Sequence, residues 1–201
     1  MKLYKYRSLE NLWHCLDIVV NQRLHCAPWI ELNDPLEGRY EVYFGNKVKD
    51  PQRLIGKIEW KRQKFRIASL SSDPKNFLLW SHYADGHKGV VVEVDIPETH
   101  PDLFQVIYSP FASIFSEAIQ LKDDMRHIFN GKTEEWEYER EYRVVTTREH
   151  FKLDTPVKKV LLGPLVPEDR RKILRAILPK SVQLVPMELD REQGTLHVNE
   201  H

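Results

Sequence analysis

Between Asn76 and Gly89 the chain reads Asn-Phe-Leu-Leu-Trp-Ser-His-Tyr-Ala-Asp-Gly-His-Lys-Gly, so two imidazoles, a phenol, a hydroxyl, a carboxylate and an amine crowd fourteen residues. Imidazoles titrate near neutrality and can hold or pass a proton. His82 and His87 stand five apart across a helix end, which is not the four-residue spacing that aligns two metal ligands. No further His or Cys cluster supplies a third ligand, so no metal is expected. Helical spacing sends Phe77, Trp80 and Ala84 inward on one stripe, with Ser81 and Asp85 on another and His82 and Tyr83 flanking it.

Three other clusters could share that chemistry. The segment 136–144 reads Trp-Glu-Tyr-Glu-Arg-Glu-Tyr-Arg-Val. As a strand of period two it would present Glu137, Glu139, Glu141 and Arg143 on one face and Trp136, Tyr138, Arg140, Tyr142 and Val144 on the other. Three carboxylates beside one guanidinium repel one another unless a cation from elsewhere joins them, and Lys5, Arg7 or His82 could do so. On the segment 4–8, Tyr-Lys-Tyr-Arg-Ser, Lys5 and Arg7 share one side and Tyr4 and Tyr6 the other. The loop Asn33-Asp34-Pro35-Leu36-Glu37 has strong turn chemistry and could hold Asn33, Asp34 or Glu37 over a ligand. Each cluster has an ordinary reading: a charge-protected edge strand, a rigid turn, a helix with polar decoration, a solvated ladder. Four together predict convergence on one cleft.

The elements that must position these groups alternate irregularly. Strands are expected over 3–7, 23–27, 65–71, 90–95, 104–108, 136–145, 157–162, 182–189 and 195–198. A helix capped by Ser8 would bury Leu9, Leu12, Trp13, Leu16, Val19 and Val20. Others are expected from 51 to 63, within 76–86 with Gly86 as a left-handed stop, along the periodic residues Ile114, Phe115, Ala118, Leu121, Met125, Ile128 and Phe129, and after Pro167. Lys88-Gly89, running into a strand, would let backbone approach a ligand closely. The pattern predicts one α+β domain over 1–190, a mixed, mostly antiparallel sheet with flanking helices, and a polar tail over 191–201.

At 201 residues and 41% hydrophobic content the chain suits a single core. Thirty basic residues balance thirty acidic ones, which argues against a protein wrapped along duplex nucleic acid, although 57–66 forms a local basic run. Nucleic acid as a partner is left open. The two cysteines, Cys15 and Cys26, form no CxxC pair, and both read as small core residues. No apolar signal core opens the chain and no apolar run is long enough to span a membrane, so a soluble cytoplasmic protein without a membrane partner is expected.

The four clusters, in this order, resemble the bacterial family called domain of unknown function 2971 (DUF2971). It shares a Y-K-Y-R-S opening, an N-D-P-x-E loop, W-S-H-Y-A followed by H-K-G, and a late W-x-x-E-x-E-Y-R, here Tyr4 to Ser8, Asn33 to Glu37, Trp80 to Gly89 and Trp136 to Arg143. That family implies no activity. The order of a basic first strand, a Ser-x-Ser strand and a late Glu-x-Glu is similar to ADP-ribosyltransferases, a likeness that would extend to the fold. It implies NAD as substrate, with Arg7 and Lys5 as anchors, Ser69 and Ser71 shaping the nicotinamide pocket, and Glu139 and Glu141 acting on the ribose and the acceptor. His82 would join the carboxylates, and Tyr83, His87, Asn33 and Asp34 would contact the nucleotide. N-D-P-x-E and W-S-H-Y-A have no counterpart in that scheme. The expected function is an ADP-ribosyltransferase-like enzyme acting on a macromolecular acceptor, in a toxin or phage-defence setting. The alternative is a non-catalytic domain sensing a nucleotide-like small molecule. A third reading is a metal-independent nuclease using His82, His87 and Glu141.

Overall fold

The computed structural model describes residues 1–36, 38, 41–43, 50–109, 113–115 and 125–198. Glu37 of the turn motif, and Ala118 and Leu121 of the periodic stretch, lie outside the described residues. The strands are β1 (Lys2–Arg7), β2 (Arg23–His25), β3 (Ala27–Pro28), β4 (Glu41–Tyr43), β5 (Arg66–Ser71), β6 (Val90–Asp95), β7 (Leu103–Gln105) and β8 (Ile107–Tyr108). They continue as β9 (Ser113–Phe115), β10 (Gly131–Lys132), β11 (Glu141–Thr146), β12 (His150–Lys152), β13 (Lys159–Leu162), β14 (Gln183–Asp190) and β15 (Thr195–Val198). Among the described residues the α-helices are α1 (Leu12–Asn21), α2 (Pro51–Arg62), α3 (Phe77–Tyr83) and α4 (Glu168–Ile177).

The main sheet runs β15-β14-β13-β6-β1-β5-β11-β7, with β3 also on β5, and every pair in it is antiparallel except β13 with β14. The fold is thus α+β, one domain built on a mostly antiparallel open sheet with flanking helices. Val90 to Val92 and Val94 are buried because β6 is covered on both faces. On one face Leu3, Val92 and Val160 pack with Cys15, Ile18 and Val19 of α1 and Leu174 of α4. On the other, Tyr6, Val91 and Leu161 pack with Leu79 and Trp80 of α3. A third cluster joins Ile58 of α2 to Ile67, Phe129 and Val145.

Several expectations need correction. Helix α1 starts at Leu12 rather than at a Ser8 cap; Ser8 Oγ instead accepts the Glu10 N–H at 3.1 Å, closing a local turn. Its buried face is Cys15, Ile18 and Val19, while Trp13 and Val20 are 77% and 58% exposed. Phe77 is likewise exposed, while Trp80 and Ala84 are buried as expected. Where the stretch 114–129 is described it is not α-helical: β9 pairs with β4, and Met125–Phe129 is a 3-10 turn. The strand expected over 195–198 is β15, which pairs with β14 and buries Leu196, so the polar tail expected over 191–201 does not extend over it. Gly89 serves the fold: a Cβ there would strike Arg7 O and the backbone of Ala84, so it lets α3 and β1 close on one another rather than admitting a ligand.

The largest departure concerns 136–144. Glu134–Glu139 is a 3-10 helix, Arg140 takes the left-handed conformation at φ 45°, and β11 begins only at Glu141. Alternating aromatic and acidic residues suit a strand, but at three residues per turn Trp136 and Glu139 fall on the same side, where Lys132 meets both. Glu139 and Glu141 therefore come from different elements that meet at the Arg140 corner.

One irregularity in the sheet matters for function. Only Tyr4 and Ser71 are in register between β1 and β5; the start of β5 pairs instead with β3, through Ala27 with Ile67 and Pro28 with Arg66. The two central strands thus part beyond Tyr4 and Ser71. Lys5 spans the gap, its Nζ donating to the Ser69 carbonyl at 2.6 Å, an acceptor that a continued ladder would have satisfied.

Candidate functional site

The parted strands open into a cavity of about 410 Å³. All four clusters contribute to its wall: Lys5 and Arg7 from β1, Asn33 and Asp34 from the turn, His82 and Tyr83 from α3, and Glu139, Glu141 and Arg143 from the Arg140 corner and β11. Ser69 and Ser71 line it from β5.

One end holds a carboxylate pair with its cations. Arg143 and Glu141 lie on the same face of β11, two residues apart. Arg143 Nε donates to Glu141 Oε1 at 2.9 Å and Nη2 to Oε2 at 3.1 Å, while Nη1 donates to the Phe129 carbonyl at 2.6 Å. Lys132 Nζ, from β10, donates to Glu141 Oε2 at 3.2 Å and also to Glu139 Oε2. Tyr83 donates its hydroxyl to Glu139 Oε1 at 2.8 Å, and Asn33 reaches that same hydroxyl. Ser71 Oγ donates to the Glu139 carbonyl at 2.7 Å and Ser69 reaches the Glu141 carboxylate. Two carboxylates thus share two cations in a buried network.

The partners set the two acids apart. Burial alone would raise Glu141, but Arg143 and then Lys132 outweigh it and hold the carboxyl well below the usual range. Glu139 goes the other way: burial pushes it up, Lys132 opposes this, and the Glu141 charge adds to the rise. Neighbouring carboxylates with opposite shifts are a common arrangement for dividing acid–base roles.

The other end is basic. Lys5 and Arg7 meet His14 of α1 and His25 of β2 there, with Asn11 beside His14. Burial and then the Arg7 charge pull Lys5 down to about 7, against the weaker pull of Glu141. An amine titrating there is unprotonated when surface lysines, near pKa ~10.4, are still charged. Lys5 should therefore be the first lysine acylated by limiting acetic anhydride near neutrality, with a reactivity midpoint near 7. Mass-spectrometric labelling across pH tests this; reactivity that appears only above about pH 9, as for an ordinary lysine, would refute it.

Not every residue singled out reaches the cavity. His82 is exposed at its rim, its ring 6.5 Å from that of Tyr138. His87, expected at the cleft, is packed behind α3: it is 7% exposed, its ring lies parallel to Trp80, and its Nε2 is 3.0 Å from Ser81 Oγ. Its left-handed φ of 69° and the close packing of Gly89 turn it inward. The trio His82, His87 and Glu141 is therefore not assembled. Asp34 is buried, and its Oδ1 accepts the Leu36 N–H at 2.8 Å, fixing the turn that presents Asn33. Lys132, His14 and His25 were not singled out from the sequence. Nothing local marks Lys132; His14 sits one residue before the buried Cys15 in a helix that reads as a packing element.

Among known proteins, the family described as a protein of unknown function (DUF2971) matches residues 79–144. The match takes in α3 from Leu79 onward, the Gly89 junction and the Glu139–Arg143 corner, so over this segment the chain is similar to that family; Tyr4 to Ser8 and the Asn33 turn lie outside it. No curated protein and no solved structure matches the chain.

Proposed function

We propose that the cavity binds NAD and that the protein is an ADP-ribosyltransferase-like enzyme transferring ADP-ribose to a macromolecular acceptor. The observation that carries this reading is the parting of β1 from β5 into a cavity with a basic end and a carboxylate pair at the other. A dinucleotide has matching parts: a pyrophosphate for Arg7 and Lys5, and a ribose to be cleaved beside Glu139. The bond between ribose C1′ and nicotinamide nitrogen breaks, and nicotinamide leaves neutral with the bonding pair. The oxocarbenium-like centre then faces a preorganised carboxylate. The acceptor's lone pair closes on C1′ and its proton passes to Glu139, whose raised pKa suits a base that must later release it. Glu141, held by Arg143 and Lys132, orients Glu139 rather than acting itself. A cytoplasmic toxin or defence setting is carried by analogy alone.

Glu139→Gln preserves shape and removes the charge. NAD binding should survive, and nicotinamide release should fall about 10²–10³-fold, the usual loss for one electrostatic stabiliser of a transition state. Nicotinamide release by the parent and this variant, with binding measured in parallel, tests the reading. Binding of NAD without cleavage by the parent would instead favour the nucleotide-sensing domain. One observation favours that reading: both oxygens of each carboxylate already accept hydrogen bonds from protein groups.

A further inference from the structure

We infer that the basic end of the cavity, built by Arg7, Lys5, His14 and His25, is a subsite for a phosphate group. The inference rests on reading this cavity as the ligand site, though not on NAD as the ligand.

Arg7 is the primary observation. Its Nε is buried with no hydrogen-bond partner, and no carboxylate pairs with its guanidinium among the described residues. A desolvated guanidinium without an anion is costly, and such groups are normally paired. Beside it Lys5 satisfies only a neutral carbonyl, that of Ser69. Three of the nearby acids are otherwise engaged. Asp17 on α1 is held by Arg23 and Asn21, with Arg23 Nε to Oδ1 at 2.9 Å. Glu139 and Glu141 are neutralised by Lys132 and Arg143 at the far end. An incoming anion thus meets four basic groups there; of the other carboxylates lining the cavity, Asp34 accepts the Leu36 N–H and Glu31 is exposed to solvent.

The histidines extend this beyond a single guanidinium–phosphate contact. His14 is exposed at the cavity rim, with Nε2 3.3 Å from Asn11 Nδ2, and His25 packs edge-on against His150 at 5.7 Å. Burial and then Arg7 lower His14, opposed by Asp17; burial, His150 and Arg7 lower His25, opposed by Glu149. Cys15 and Cys26, both raised by burial, face the same group from α1 and from the strand leading to β3, with Arg66 and Arg148 acting on Cys26. The ligand-free end therefore sheds protons, first because burial disfavours the charged forms and then because its basic groups repel. A bound phosphate offsets both effects by favouring the charged forms, so binding takes up protons and weakens as pH rises through neutrality.

The test is calorimetric titration of the full chain with inorganic pyrophosphate in a constant-ionic-strength potassium chloride background. The parent should bind, take up protons from the buffer, and lose about tenfold in affinity between roughly pH 7 and pH 8, one decade being the yield of one coupled ionisation per pH unit. Arg7→Met should abolish binding. His14→Gln, on an exposed helix position, should melt with the parent and bind several-fold more weakly at the lower pH, which keeps the inference testable if the Arg7 variant does not fold. No binding by the parent, unchanged affinity in His14→Gln, or affinity independent of pH would overturn it. Pyrophosphate binding without NAD cleavage would sink the transferase reading and leave this one standing.

Discussion

Arg143→Ala is expected to destabilise the protein by about 3–5 kcal/mol, the range for breaking a buried ion pair from one side. Arg143 is 1% exposed and makes both hydrogen bonds to the Glu141 carboxylate that a planar guanidinium can offer. Without it, two buried carboxylates would share Lys132 alone, and the Phe129 carbonyl would lose its donor. Glu141→Leu combined with Arg143→Met should recover much of the loss, because it removes the stranded charge while Lys132 keeps Glu139. The same network dictates a pH trend. Glu141 is depressed in the folded state, so its contribution is present above the unfolded glutamate value near ~4.3 and is lost as pH falls toward the folded value. Chemical denaturation of the parent and both variants decides the point; a single variant as stable as the parent would show that the pair does not hold the fold.

Trp80→Ala should cost a similar amount, about 3–5 kcal/mol, the usual price of emptying a large aromatic site. Trp80 is fully buried, meets Tyr6 edge-on at 5.5 Å, and donates its indole N–H to the Pro74 carbonyl at 2.8 Å. It joins α3 to β1, so its loss should also disturb Tyr83 and with it the hydrogen bond to Glu139. Trp80→Phe should keep part of the packing and lose only the indole bond. Denaturant midpoints measure the stability, and NAD binding reads the consequence at the cavity. A loss below about 1 kcal/mol for the alanine variant would mean that the site collapses around the gap.

These two residues show the limits of reading along the chain. Trp80 was legible as core because helical spacing puts it on the stripe of Ala84, and a large indole in that position has nowhere else to go. Arg143 was legible as a paired cation because three acids surround it in sequence. Glu139 was misplaced, since the alternation of aromatics and acids reads as a strand of period two, and Arg140 gives no sign that it will adopt positive φ and end a 3-10 turn there.

Local pattern by itself determined the α+β class, the strands β1, β5 and β6, the helices α2 and α4, and the polar clusters that deserved suspicion. Periodicity records which side of an element is buried, and that information is short-ranged. Tertiary structure decided the rest. Lys132 meets Glu139 and Glu141 because β10 pairs with β8, and His87 turns behind α3 because Gly89 closes against β1. Arg7 stands beside His14 and His25 because β1 parts from β5 and leaves a cavity between them. Each of these depends on strand partners distant in sequence. Which strand pairs with which, and where a ladder stops, follows from the packing of the whole core, and no window of the chain contains that packing.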